Sequence, residues 1–161
     1  MKHKAVLFIN GSGGHKEQMK RLIMLIADDM ENSKLISIAE HKASLDIFYE
    51  SIEICPARNK YSHLRTAVTI PIFFLSSIYH TLKLLGKYDI KAIVSTGPGL
   101  VVIPALIFRS LNKKVIFIET WSRFTSKSFT GILMSKISNV FYVQNKTLLN
   151  VYKNAVYSGR L

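Results

Sequence analysis

With 161 residues, 48% of them hydrophobic, the chain has enough apolar material for one full core and is too short for a two-domain enzyme. Its formal net charge of +12 calls for an anionic partner, while a single cysteine, Cys55, excludes an internal disulfide and fits a reducing compartment. No CxxC, HExxH or other clustered ligand set occurs, so no metal is expected, and no Gly-Lys-Ser/Thr sequence supports ATP hydrolysis.

Residues 6–9 form an apolar run that breaks into Gly11-Ser12-Gly13-Gly14-His15. Met19, Leu22, Ile23, Ile26 and Met30 then recur at the spacing of one buried helical face. A glycine-rich turn feeding a helix aims unpaired N–H groups and a positive helix end at a phosphate or pyrophosphate. The same pattern is also generic to the first turn of α/β folds. Lys16 stands where a dinucleotide site needs its third glycine, which disfavours a nicotinamide cofactor although Glu40 lies near the place of a ribose-binding acid. His15, in the first helical turn, is read as a neutral proton acceptor or hydrogen-bonding group, or else as a turn residue packed on a neighbour.

A strand at 35–39, a loop or short helix at 43–49 and a strand at 51–55 follow, with Cys55 expected in an apolar, buried role. A helix over about 62–85 contains the apolar segment 67–79, including Ile72, Phe73 and Phe74, flanked by Arg58, Lys60, His63 and Arg65 before it and Lys83 and Lys87 after it. The segment is too short to span a bilayer, which needs about 20 apolar residues. It suits contact with an anionic membrane surface, or burial as a core helix with Pro71 tolerated or kinking it. His3, His41, His63 and His80 are scattered, as surface or packing residues are.

The strand 90–95 runs into Ser95-Thr96-Gly97-Pro98-Gly99 and an apolar helix to Leu111. The strand 114–118 runs into Glu119-Thr120-Trp121-Ser122-Arg123. A helix at 129–137, a strand at 140–143, a short helix at 146–152 and a strand at 155–157 complete the chain. This alternation predicts an α/β fold with a doubly wound, mainly parallel, Rossmann-like sheet covered on both faces. Ligands of such sheets bind beyond the carboxyl ends of the strands, where the three loops at 11–15, 95–99 and 119–123 would meet. Glu119 there could accept a sugar hydroxyl or its proton, pair with Arg123, or cap a helix. Met1 to Lys4 lead directly into a core strand without a cleavable apolar segment, so the chain is expected to stay in the cytoplasm, soluble or peripheral on the membrane. The basic residues form no compact run interleaved with aromatics, so no nucleic acid is expected.

Taken in order, the residues 11–15, 95–99, Phe117-Ile-Glu-Thr-Trp-Ser-Arg123 and Tyr142-Val-Gln144 resemble the successive motifs of the asparagine-linked glycosylation fourteen-like family, from Ala5 to Gly159. Its bacterial members include PssD-type and capsule-type exopolysaccharide proteins. The resemblance implies a single domain over 1–161, similar to the N-terminal, acceptor-side half of a GT-B glycosyltransferase such as MurG. It implies a separate catalytic, donor-binding glycosyltransferase subunit as partner, and transfer of a sugar from a UDP-sugar to a polyprenyl-diphosphate-linked acceptor at the cytoplasmic membrane face, with no cofactor. Gly11, Ser12, Gly13, Gly14, Ser95, Thr96, Gly97 and Gly99 would face the acceptor diphosphate. Glu119, Ser122 and Arg123 would sit in the interdomain cleft, His15 and Glu119 being its candidate bases, and Gln144 would make a partner or cleft contact. Asn145 departs from the family pattern, where many relatives have Trp, and so does the missing N-terminal membrane helix of eukaryotic members.

Overall fold

The computed structural model describes residues 2–40, 45–55 and 63–161, with side chains from 69 onward in the last stretch. Arg58, Lys60, His41 and residues 43–44 of the expected loop lie outside the described residues, as do the side chains of His63 and Arg65. In chain order the elements are β1 (Lys4–Asn10), α1 (Gly14–Ile26), β2 (Lys34–Glu40), β3 (Glu50–Ile54), α2 (His63–Lys87), β4 (Asp89–Ser95), α3 (Val102–Ser110), β5 (Lys114–Ile118), α4 (Phe129–Ile137), β6 (Val140–Val143) and β7 (Ala155–Tyr157). A 3-10 turn, Gly99–Val101, precedes α3, and another, Lys146–Asn150, stands where a short helix is expected.

The strands form one seven-stranded parallel sheet in the order β3-β2-β1-β4-β5-β6-β7. The chain grows outward from β1 to β3, and α2 carries it back to lay β4 on the other side of β1. In sheets of this order ligands bind at that reversal, in the crevice expected beyond the carboxyl ends of β1 and β4. Helices cover both sides. Leu7, Ile9, Ile36, Ile38, Ile93 and Phe117 pack beneath α2, α3 and α4, while Val6, Phe8 and Val94 meet Met19 and Ile23 of α1. Burial on both faces is why β1 reads as a continuous apolar run instead of an alternating one.

Helix α2 continues through Pro71, which has no N–H to donate to the helical ladder. Its inner face holds Phe73, Ser77, Thr81, Leu84 and Tyr88, all buried. Phe73 is therefore a core residue, 7% exposed, and not the membrane-facing group the sequence suggested. Ile72, Leu75, Tyr79 and Leu82 form the opposite stripe, each more than half exposed, with Phe74 41% exposed beside them. No helix among the described residues is long and apolar enough to cross a membrane. Cys55, expected in the core, is exposed just past the end of β3.

Candidate functional site

The first loop leaves β1 at Asn10 and reverses at Gly13, whose φ of +61° is a left-handed conformation that a side chain would strain. The Gly13 carbonyl then accepts from the N–H groups of Lys16 (3.1 Å) and Glu17 (3.2 Å), closing the first turn of α1. Gly14 and His15 occupy the first helical positions, where a helix offers no acceptor of its own and its positive end is turned outward. One expected donor is already engaged: Glu40, at the end of β2, accepts from the Ser12 N–H (3.1 Å) and the Ser12 hydroxyl (3.2 Å). Glu40 thus braces this chain's own loop. A side chain at Gly11 would be wedged between Glu40 and Pro98, 3.0 Å from the Pro98 Cβ.

The second loop is knitted to the first. Ser95 and Thr96 are fully buried; the Ser95 hydroxyl donates to the Ile9 carbonyl (2.9 Å) and the Thr96 hydroxyl to the His15 carbonyl (2.9 Å). These two side chains therefore join the loops and do not offer hydroxyls to a diphosphate, as the sequence reading had them do. In return the His15 ring lies with Nδ1 2.5 Å from the Thr96 carbonyl oxygen. A carbonyl only accepts, so Nδ1 carries a proton, and in the neutral tautomer this leaves the lone pair on Nε2. The ring needs a glycine beneath it: a Cβ at Gly97, where φ is +103°, would lie 2.8 Å from His15 Cε1. Gly99 is exposed at the start of the following turn.

The third loop starts at Glu119, and here the structure corrects the sequence. Glu119 is fully buried. One oxygen accepts from the Thr120 N–H (3.0 Å), the other from the Tyr152 hydroxyl (2.7 Å), and the Ser128 hydroxyl reaches both at 3.0 and 2.9 Å. The carboxylate faces inward and neither pairs with Arg123 nor opens onto the crevice as a base. Burial, reinforced by the hydrogen bond to Glu119, pushes the Tyr152 phenol up from its ordinary value. Ser128 also caps α4 by accepting from the Gly131 N–H at 2.8 Å. Gly131 is the only residue type that fits there, because a Cβ would lie 2.0 Å from a Glu119 oxygen and 2.3 Å from the Tyr152 hydroxyl.

Gln144 is likewise internal, 3% exposed, instead of a surface contact. Its amide nitrogen donates to Gln18 of α1 (2.8 Å) and to the Glu119 carbonyl (2.9 Å), while its oxygen accepts from the Leu161 N–H (3.0 Å). Gln18 in turn donates to the Thr120 hydroxyl at 3.3 Å. Asn145, the position that departs from the family pattern, donates to the carbonyls of Trp121 (3.0 Å) and Arg123 and so holds the loop's turn. Arg123 donates to Ser126 at 3.2 Å, and Ser122 is exposed and shares a 3.1 Å hydrogen bond with Thr120. Trp121 lies between the guanidinium groups of Arg21 and Arg160, at 5.0 and 5.9 Å from its ring centre.

The three loops thus meet: a Cβ at Gly97 would approach both His15 and, at 3.6 Å, the Thr120 nitrogen, and one at Gly14 would stand 3.6 Å from Trp121 Nε1. Around that junction the structure collects N–H donors, one imidazole acceptor and several cations. The supporting residues Gln18, Ser128, Gly131 and Tyr152 carry no motif; only the small-residue position in an otherwise apolar α4 hints at Gly131.

Over residues 6–161 the sequence matches the family described as Oligosaccharide biosynthesis protein Alg14 like. UDP-N-acetylglucosamine transferase subunit ALG14 of Debaryomyces hansenii is 30% identical over 97% of this chain and 75% of the relative, and the protein of that name from Rattus norvegicus is 27% identical over 97% and 82%. Among solved structures, Acinetobacter baumannii MurG superposes with a TM-score of 0.64 at 12% identity, covering 98% of this chain. This chain spans 44% of that MurG chain, so the likeness is one of fold, to part of a larger protein. The chain belongs to the Alg14-like family of oligosaccharide biosynthesis proteins, on a Rossmann-like sheet whose fold resembles part of MurG.

Proposed function

We propose that this chain, as one domain, is the acceptor-side subunit of a two-chain glycosyltransferase, assembling with a donor-binding catalytic subunit to move a sugar from a UDP-sugar to a polyprenyl-diphosphate-linked acceptor. The relatives' names, each a transferase subunit, support the division into chains. The observation that carries the reading is the junction of the three loops: the helix start at Gly13, Gly14 and His15 offers N–H groups to a diphosphate, and the Nδ1 bond to Thr96 leaves His15 Nε2 as the acceptor of a neutral ring. An acceptor hydroxyl loses its proton as it attacks the sugar, and a positioned base contributes about 10² to 10⁴ in rate. His15 fills that role here; Glu119 holds the third loop in place. Gly99 and Ser122, both exposed, and Arg123 would contact the acceptor. The exposed stripe of Ile72, Leu75, Tyr79 and Leu82, with Phe74 and the cations Lys83 and Lys87, is the face that meets an anionic membrane on the cytoplasmic side.

A second reading, a scaffold that only tethers and activates its partner, draws on one observation: the carboxylate nearest the crevice is fully engaged in internal hydrogen bonds. Sugar transfer by the purified chain alone, by the partner alone and by the reconstituted pair separates the two readings. The pair is expected to be active and this chain alone inactive, with His15→Gln in the pair lowering kcat at least tenfold while partner binding is retained. Wild-type turnover by the His15 variant favours the scaffold, and turnover by this chain alone overturns both.

A further inference from the structure

The end of the sheet opposite the crevice, where the strands begin, carries a recess of about 510 Å³ lined by Lys2, Lys4, Leu85, Tyr88, Asp89 and Lys113. Its charges do not balance. The one carboxylate, Asp89, lies 2.6 Å from Lys91 Nζ, and that bond, with Lys113 and Lys4 nearby, holds its carboxyl below the usual range. Lys87, also close, is paired with Glu50 at 2.7 Å. Once Lys91 is assigned to Asp89, the ammonium groups of Lys2, Lys4 and Lys113 have no ion-pair partner among the described residues. Lys2 donates to the Leu85 carbonyl (2.9 Å) and Lys113 to the Ile90 carbonyl (2.5 Å), which fixes both heads without neutralising them. The carbonyl end of α2 offsets about half a charge. The Lys4 ammonium makes no hydrogen bond to the described residues, and Lys4 stands directly across the β1–β4 ladder from Asp89. Each ammonium has three donors, so Lys2 and Lys113 retain protons for a ligand after bonding their carbonyls.

We propose that this recess binds a phosphate-bearing anion, either free phosphate or the phosphate of a lipid headgroup. Three ammonium groups line a cavity of this size against the single carboxylate of Asp89, itself bonded to Lys91, and the rest of the wall is Leu85 and Tyr88, so the excess charge there is positive and suits an anion. The lipid source has its own support. The recess lies at the end of α2, one turn beyond Leu82, so a protein resting on its exposed α2 stripe brings the three lysines to headgroup depth. The site is independent of the glycine-loop crevice and does not rest on the activity proposed above.

Isotope-labelled full-length chain, titrated with inorganic phosphate and followed by amide NMR, reads the free-anion arm. Sedimentation with phosphatidylcholine vesicles, with and without phosphatidic acid, reads the lipid arm. Saturable shifts at Lys4, Leu85 and Asp89, weakened about fivefold by Lys4→Gln and lost in Lys4→Gln/Lys113→Gln, are expected for free phosphate. Sedimentation that needs phosphatidic acid and falls at least fivefold in the double variant assigns the lipid. Lys87→Gln, which touches a lysine already paired with Glu50, should leave the phosphate midpoint unchanged. Because Lys4 holds nothing in place, loss of folding does not cloud the single variant. The proposal is overturned if wild type shows no saturable shift and the double variant sediments equally, or if shifts do occur but Lys4→Gln leaves their midpoint unchanged.

Discussion

Gly131→Ala puts a methyl group where three oxygen atoms already meet. The added Cβ would stand 2.0 Å from a Glu119 oxygen, 2.3 Å from the Tyr152 hydroxyl and 2.8 Å from the Ser128 hydroxyl. None of these is the end of a flexible, solvated side chain: Glu119 and Tyr152 are buried, and Ser128 is held as the cap of α4. Relief requires Glu119 to move, which breaks its bonds to Tyr152 and Ser128 and leaves a buried charged acceptor underpartnered. Each hydrogen bond to a charged group is worth about 1.5 to 3 kcal/mol, so losing two should cost the variant about 2 to 5 kcal/mol, net of the roughly 1 kcal/mol that alanine gains in a helix. In a chain of this length that lowers Tm by roughly 10 °C, measured by far-ultraviolet circular dichroism. Gly86→Ala in α2, with nothing within 4 Å of the new methyl, is the matched control and should leave Tm unchanged or raise it. Adding Tyr152→Phe to Gly131→Ala removes one of the clashing oxygens and should recover part of the loss. Equal Tm for Gly131→Ala and wild type would refute the placement of Glu119, Ser128 and Tyr152 around that helix.

Two further predictions test the outer surface of α2. Ile72→Ser with Leu75→Ser should weaken sedimentation with anionic vesicles while leaving Tm within about 2 °C, whereas Phe73→Ala, on the buried side, should cost about 3 to 5 kcal/mol by leaving a cavity; the opposite pattern would place the membrane face elsewhere. His80 is half-buried, and burial, with Lys83 beside it, holds its imidazole below the ordinary value of 6.5. The unfolded chain therefore binds this proton more readily, and the stability due to the neutral ring is present above pH 6.5 and lost as pH falls through the folded value. The urea midpoint should drop more between pH 7.5 and 5.5 in wild type than in His80→Gln, and parallel drops would dissociate His80 from the effect.

Strand and helix order was legible because β1, β4 and β5 are short apolar runs punctuated by glycine and polar residues, and because α1 keeps a clear periodicity. The parallel order follows from that alternation, and with it the gathering of three loops at one end of the sheet. What failed was orientation within elements. Residues 70–75 are apolar on every side, so nothing in the sequence says that Phe73 turns inward and Phe74 outward; packing against the sheet decides it. Cys55 follows a strand-like run yet lies past its end, exposed. Glu119 looked like a crevice group because a carboxylate at a strand end in an α/β fold commonly is one. Its partners Ser128 and Tyr152 stand 9 and 33 positions away, a separation no local pattern encodes. Ser95 and Thr96 read as ligand hydroxyls for the same reason, and only the fold reveals Ile9 and His15 as their acceptors.

These inward turns bear on what the crevice is suited to hold. Both carboxylates that the sequence brings near it are used to brace loops, Glu40 on Ser12 and Glu119 on Ser128 and Tyr152. Glu17, on the adjoining turn of α1, is paired with Arg21 at 3.1 Å. The negative charge that would repel a diphosphate is thus tied down, while Arg123 and Arg160 have no carboxylate partner among the described residues and the helix start adds its positive end. Hydroxyls at 95 and 96 are withdrawn into the same bracing, so recognition at this end of the sheet falls to backbone N–H groups and to the lone pair of His15 Nε2. The placement of that ring is a property of the loops together: Gly97 makes room for it, and the Thr96 carbonyl holds Nδ1 so that Nε2 is turned away from the bond.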